Sequence, residues 1–114
     1  MDVAFTQWAI NANGSTGVLR ILNEDATGNL EVSVTFDGLD RIDPWEGQWD
    51  TPSEQITLKR FLPGGAVQEH VGYTGDNDPS NLILAGYFTE SDVPSETPRQ
   101  RFGWFADNPT TIIT

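Results

Sequence analysis

The sequence predicts an all-β protein, a single antiparallel up-and-down barrel of about eight strands. Three observations point there. Short apolar or alternating runs recur along the whole chain, clusters of breakers separate them, and no stretch carries a convincing helical periodicity. The second half also repeats a phrase: glycine, an aromatic, any two residues, an acid. It occurs as Gly72-Tyr73-Thr74-Gly75-Asp76, Gly86-Tyr87-Phe88-Thr89-Glu90 and Gly103-Trp104-Phe105-Ala106-Asp107, and more loosely as Trp45-Glu46-Gly47-Gln48-Trp49-Asp50. Glycine beside bulky aromatics marks strands that coil sharply, because a missing side chain lets the backbone bend where a barrel turns a corner.

The expected strands run from Phe5 to Ile10, Val18 to Leu22, Leu30 to Phe36, Arg41 to Trp49, Gln55 to Leu62, Ala66 to Tyr73, Leu82 to Phe88 and Arg101 to Ala106. Between them lie Asn13-Gly14-Ser15, Thr27-Gly28-Asn29, Asp37-Gly38, Pro63-Gly64-Gly65 and Gly75-Asp76-Asn77-Asp78-Pro79. Short strands with short connections make hairpins. The third run is the clearest: Leu30, Val32, Val34 and Phe36 alternate with Glu31, Ser33 and Thr35, giving one buried and one wet face. With Ile56, Leu58, Leu82 and Leu84 they form the expected inner surface. A meander of about eight strands removes its edges by closing, and a two-sheet sandwich is the rival arrangement.

In the fourth run Asp43, Trp45, Gly47 and Trp49 share one face, and Glu46, Gln48 and Asp50 the other. The polar set belongs in water, which turns both indoles inward. Trp45, Trp49 and Phe88 are therefore the expected lining of any cavity. Two arginines share apolar faces, Arg20 with Val18 and Leu22, and Arg60 with Ile56 and Leu58. An inward arginine needs a carboxylate, an aromatic plane or rim water. Glu69 is a candidate counterion, and the chain is similar to barrels of the calycin type that close one end with an arginine packed over a tryptophan, a resemblance that implies Trp8 as the plane for Arg20 or Arg60 at the end away from that cavity.

A chain of 114 residues fits one domain. The absence of cysteine excludes disulfides, thiolate zinc ligands and a thiol nucleophile. With 17 acidic against 6 basic residues, a net −11, the field repels phosphate backbones and anionic membranes, so neither is an expected partner. No apolar run approaches the roughly 20 residues of a membrane span, and Met1-Asp2-Val3-Ala4-Phe5 lacks the regions of a signal peptide. The chain reads as soluble, with its compartment open, and a monomer and a homo-oligomer are both compatible.

The first hairpin, Trp8-Ala9-Ile10-Asn11-Ala12-Asn13-Gly14-Ser15-Thr16, then Gly28-Asn29-Leu30 and Trp45-Glu46-Gly47-Gln48-Trp49, resembles the avidin and streptavidin family, within the broader calycin or lipocalin-like type of barrel. The resemblance implies a streptavidin-like barrel and places Asn11 and Ser15 where that family binds the ureido group of biotin. Aligned on Gly28 and Leu30, the family's pocket tyrosine and serine become Val34 and Phe36, which cannot hydrogen-bond. Unpaired polar groups cost about 1–3 kcal/mol each, so biotin is not the expected ligand. Trp8 and Asn11 are also three apart, on opposite faces of a regular strand, where the family spaces them two apart. Asn13-Gly14 is in addition an ordinary hairpin turn.

The remaining chemistry is thin. His70 is the single histidine, shares a face with Gln68 and Gly72 opposite Val67, Val71 and Tyr73, and reads as solvated. Asp76-Asn77-Asp78 lacks the later ligands of a calcium loop and reads as a turn, as does Asn23-Glu24-Asp25. The stretch from Glu90 to Arg99, with Pro94 and Pro98, reads as a long connection. No catalytic residue, cofactor or metal site is expected. The expected function is a non-enzymatic barrel holding a small apolar molecule inside, with Asn11, Ser15, Trp45, Trp49 and Phe88 as candidate ligand-binding residues. The alternatives are a carbohydrate- or protein-recognition module that displays aromatics, and a structural or inhibitory domain with a filled core.

Overall fold

The computed structural model describes residues 5–75, 83–90 and 102–111. Its strands are β1 (Thr6–Ala12), β2 (Ser15–Glu24), β3 (Asn29–Phe36), β4 (Trp45–Asp50), β5 (Gln55–Phe61), β6 (Val67–Gly75), β7 (Ile83–Glu90) and β8 (Phe102–Thr111). Each pairs antiparallel with the next, and β1 closes on β8 from Thr6↔Thr111 to Ala12↔Trp104. The closed barrel excludes the sandwich.

The β1–β2 hairpin turns in two residues. Asn13 (φ 51°) and Gly14 (φ 94°) both take the left-handed conformation, the primed geometry that matches strand twist. Trp8, Ile10 and Ala12 face inward and are buried. Between Gln7↔Thr110 and Ala9↔Asp107, β8 fits Asn108 and Pro109 opposite Trp8 alone. A proline has no N–H for the ladder, so a bulge accommodates it.

On β2 the inner face is Leu19 and Ile21, not the face carrying Val18, Arg20 and Leu22. Arg20 stands outside, its Nε donating to Gln7 Oε1 at 2.9 Å across the β1–β2 ladder. The residue that breaks the expectation is Leu22, which bulges between Ile21↔Val32 and Asn23↔Glu31. On β3 the expected alternation holds: Leu30, Val32, Val34 and Phe36 are buried, as are Ile56, Leu58 and Leu84. Leu82 lies outside the described residues, with Asp76-Asn77-Asp78 and the whole 91–101 connection after Glu90.

β4 starts at Trp45, four residues later than expected, because Pro44 cannot donate to a ladder and Asp43 is committed to side-chain contacts. Only Asn29↔Gln48 and Leu30↔Gly47 pair it with β3, so the seam between those strands parts toward the 37–44 connection.

β6 is inverted relative to the expectation. Its register sets Ile56 against Gly72, Leu58 against His70 and Arg60 against Gln68, so the inner face of β5 carries Gln68, His70 and Gly72 inside with it. Gly72 and Gly86 are paired, and Gly86 is paired with Trp104. A Cβ on Gly72 would lie 2.5 Å from Trp104 Cζ2, and one on Gly86 would run into the Val71 carbonyl oxygen. The bare backbone lets the indole lie across two strands, where Nε1 donates to Val71 O at 3.1 Å. That close approach explains two of the glycine–aromatic phrases. Their tyrosines, Tyr73 and Tyr87, point outward with Phe105 and Ile83.

Candidate ligand site at the barrel mouth

The 13–14 turn, the 37–44 connection and the 62–66 connection all lie at one end of the barrel. Below them Trp8, Ile10, Leu19, Ile21, Ile56, Leu58, Leu84 and Ala106 fill the interior. Trp49 belongs to this filled part, and its Nε1 is buried without a hydrogen-bond partner. Trp8 donates to Thr6 Oγ1 at 2.8 Å and forms no arginine plug.

Toward the mouth the filling turns aromatic. His70 is 1% exposed. Its ring stacks on Phe88 at 4.5 Å between centroids, with Trp45 at 5.1 Å and the edge of Trp104 at 5.9 Å. Phe102 continues the stack beyond Phe88 at 5.1 Å, and Phe36 lies 6.4 Å from Trp45. The solvated reading of His70 is thus overturned: its partner on β5 is Leu58, an inner residue, and strand parity takes the ring inside. Burial, with the Arg60 charge adding to it, pulls its pKa down to about 4 against weaker support from the Gln68 and Leu58 backbone. Nδ1 itself has no hydrogen-bond partner.

Arg60 roofs this cup. Its guanidinium lies 4.8 Å from the Phe36 ring centre and 6.0 Å from that of Trp45. Nε and a terminal nitrogen approach Asp43 Oδ2 at 2.9 and 2.8 Å, and another nitrogen donates to Gln68 Oε1 at 3.2 Å. Gln68 Nε2 in turn donates to Glu90 Oε1 at 2.9 Å. Arg41 Nε holds the other Asp43 oxygen at 2.8 Å. Burial works against the Asp43 carboxylate, yet the hydrogen bonds and charges of Arg41 and Arg60 outweigh it and keep its pKa below the usual range. An inward arginine with a carboxylate and an aromatic plane is what the β5 parity called for, but the carboxylate is Asp43. Glu69 stands outside, 3.9 Å from Lys59. The arginine roof also sits at the same end as Trp45 and Phe88, not the opposite one.

Two adjoining clefts open there. One, of about 240 Å³, is lined by Ser15, Phe36, Arg60, Phe88, Glu90 and Phe102 among others. The second, of about 440 Å³, runs along the 14–16 and 36–39 segments and shares Ser15, Phe36 and Arg60. Of the five candidate residues, Ser15 and Phe88 line the first cleft and Trp45 lies beneath it in contact with His70. Asn11 stays on the face opposite Trp8 and spends its Oδ1 on Gly14 N–H at 2.8 Å, while Val34 and Phe36 both point inward. His70, Asp43, Gln68, Glu90 and Phe102 escaped notice as site residues. For Phe102 the signal was present in its alternation with Trp104 and Ala106. Among the described residues no group of His, Asp or Glu is placed to hold a metal, and no helix is long and apolar enough to cross a membrane.

No protein-family model and no curated protein matches the chain. Solved structures do. Apo shwanavidin in its P21 crystal form shares 16% identity at a TM-score of 0.67, and in its P1 form 15% at 0.68. A low-affinity phenylalanine-to-alanine mutant of shwanavidin shares 16% at 0.68. Each match covers 95% of this chain and 97% of the other. Identity at this level speaks for architecture, and the architecture is the closed eight-stranded antiparallel barrel of the avidin type.

Proposed function

We propose that the barrel binds a small, uncharged, mostly apolar molecule at its mouth and performs no chemistry on it. The observation that carries this reading is the cleft over an aromatic cup in which His70 Nδ1 is buried and unpartnered. Buried polar atoms in native structures are rarely left unsatisfied, and a ligand atom reaching past Phe88 is one way to meet the need. That the shwanavidin structures are described as apo and as a low-affinity mutant supports a binding role. Biotin is not the ligand: Val34 and Phe36 offer no hydroxyl inside, and Asn11 faces away.

N-phenyl-1-naphthylamine, a neutral probe that brightens in apolar surroundings, tests the site. Saturable binding in the micromolar range is expected, weakened about tenfold by Phe88→Ala as a ring contact is lost. Labelled biotin is expected to show no nanomolar affinity. No saturable probe binding overturns the mouth site, and nanomolar biotin binding overturns the exclusion.

A second reading rests on the outer wall, where Tyr73, Tyr87 and Phe105 stand exposed on β6, β7 and β8. Such rings stack on sugars or anchor a protein partner. Nuclear magnetic resonance shifts confined to those three residues on adding an oligosaccharide, with the mouth silent, would favour it.

A further inference from the structure

We propose that the mouth selects uncharged ligands bearing a carbonyl oxygen, which Arg60 binds through the N–H donors left over from Asp43 and Gln68. The inference rests on the mouth being the ligand site and adds what the ligand must present. A guanidinium has five N–H donors in a rigid plane. Asp43 and Gln68 engage three of them, and no acceptor for the other two is found among the described residues. The side chain is 13% exposed, so bulk water gives those donors limited cover. They are also fixed in direction. Asp43 grips one edge of the plane while Phe36 packs on its face, and little rotamer freedom is left to lose on binding. Arg60 lines both clefts, so an acceptor arriving through either one meets it.

The choice of a carbonyl over a carboxylate follows from the charges around it. The first cleft is lined by Arg60 and Glu90, and the second by Arg60 and Asp37. Behind them Arg41 and Arg60 already share the Asp43 carboxylate. Among the described residues Arg60 is thus the one cation lining either cleft, facing an acid in each, and the net −11 of the chain adds to the disfavour of an anion. The acceptor that Arg60 already holds at the cleft is a neutral amide carbonyl, that of Gln68. A neutral carbonyl gains the charge-assisted hydrogen bond without bringing a further negative charge among the acids.

Three ligands of one ring system separate the possibilities: 2-acetylnaphthalene, 2-ethylnaphthalene and 2-naphthoate, each titrated by quenching of tryptophan emission. The ketone is expected to bind about tenfold tighter than the hydrocarbon, and the carboxylate more weakly than the ketone. Arg60→Lys keeps the charge but loses the planar fork, and is expected to cut the ketone's advantage over the hydrocarbon to less than about threefold, the comparison being made within the variant. Equal affinities in the unaltered protein, a carboxylate that binds tightest, or an advantage that survives Arg60→Lys would each overturn the proposal. If the naphthalenes bind equally while N-phenyl-1-naphthylamine still binds, the carbonyl rule alone falls. If none of the four binds, the mouth site falls with it.

Discussion

His70 shows how much a single side chain gives up to sit inside. Desolvation and the Arg60 charge hold its folded pKa at about 4, whereas the unfolded ring takes its proton near 6.5. Between those values the unfolded chain binds more protons than the folded one, so stability falls as pH drops from 6.5 toward 4 and changes no further on this account below that. The separation of the two values corresponds to about 3 kcal/mol over the window. His70→Phe keeps a ring against Phe88 and removes the titration. Urea midpoints followed from pH 6.5 to 4 are expected to fall less steeply for this variant than for the unaltered protein, and parallel profiles would contradict a buried neutral ring. The sequence fixes which residues of β6 share a face but not which face is inner. Val71 and Tyr73 look like core and His70 like surface until pairing with Leu58 decides it.

Among the elements, β3 was legible because its polar and apolar residues alternate without exception from Leu30 to Phe36. β2 and β4 were harder to read, for local reasons. The Leu22 bulge shifts the register of one, and Pro44 ends the ladder of the other. The glycines of β6 and β7 were visible as strand-coiling residues, but their second role needs three strands at once. At Gly86 any Cβ meets the Val71 carbonyl oxygen and lies 2.7 Å from Gly72 Cα, both backbone atoms that cannot yield. Gly86→Ala should therefore cost more than about 3 kcal/mol in urea unfolding and alter Trp104 emission. At Gly103 a Cβ meets nothing within 4 Å, so Gly103→Ala is the control and should stay within about 1 kcal/mol. A comparable loss in both would remove the close-approach argument. The 37–44 connection is tied to β5 by Asp43 and by Phe61 N–H donating to Pro44 O at 3.0 Å. Asp43→Ala leaves Arg60 largely buried without its carboxylate and should destabilise by about 3 kcal/mol. Combined with Arg60→Met the loss should be smaller than the sum of the single changes, and strict additivity would show that the pair does not interact.

At the scale of the whole molecule, the meander of eight strands was legible, closure was favoured with a sandwich as its rival, and the site was visible only in outline. Strand number, short connections and coiling glycines all argue for a ring, and each is a local property of the chain. Which side chains converge on the mouth depends on register around eight ladders, and one bulge or one inverted strand changes the set. Alternation turned Trp45 and Phe88 inward and resemblance singled out Ser15 without giving their end of the barrel, whereas Asp43, His70 and Gln68 came together only through tertiary pairing.

The seam between β1 and β8 also gives the mouth a history in time. Thr6 pairs with Thr111, so closing the ring joins segments separated by nearly the whole described chain, the kind of contact that makes folding slow. Ala12 and Ser15 come from one side of that seam and Phe102 from the other, yet all three border the same cleft. The cleft therefore does not exist in any intermediate that still lacks the seam. A ligand that fits it has nothing to hold until the ring is shut, and so cannot hasten closure. Its effect falls on the reverse step, as a ratchet that leaves the folding rate nearly unchanged and lengthens the lifetime of the closed barrel by a factor of one plus the ratio of free ligand concentration to Kd.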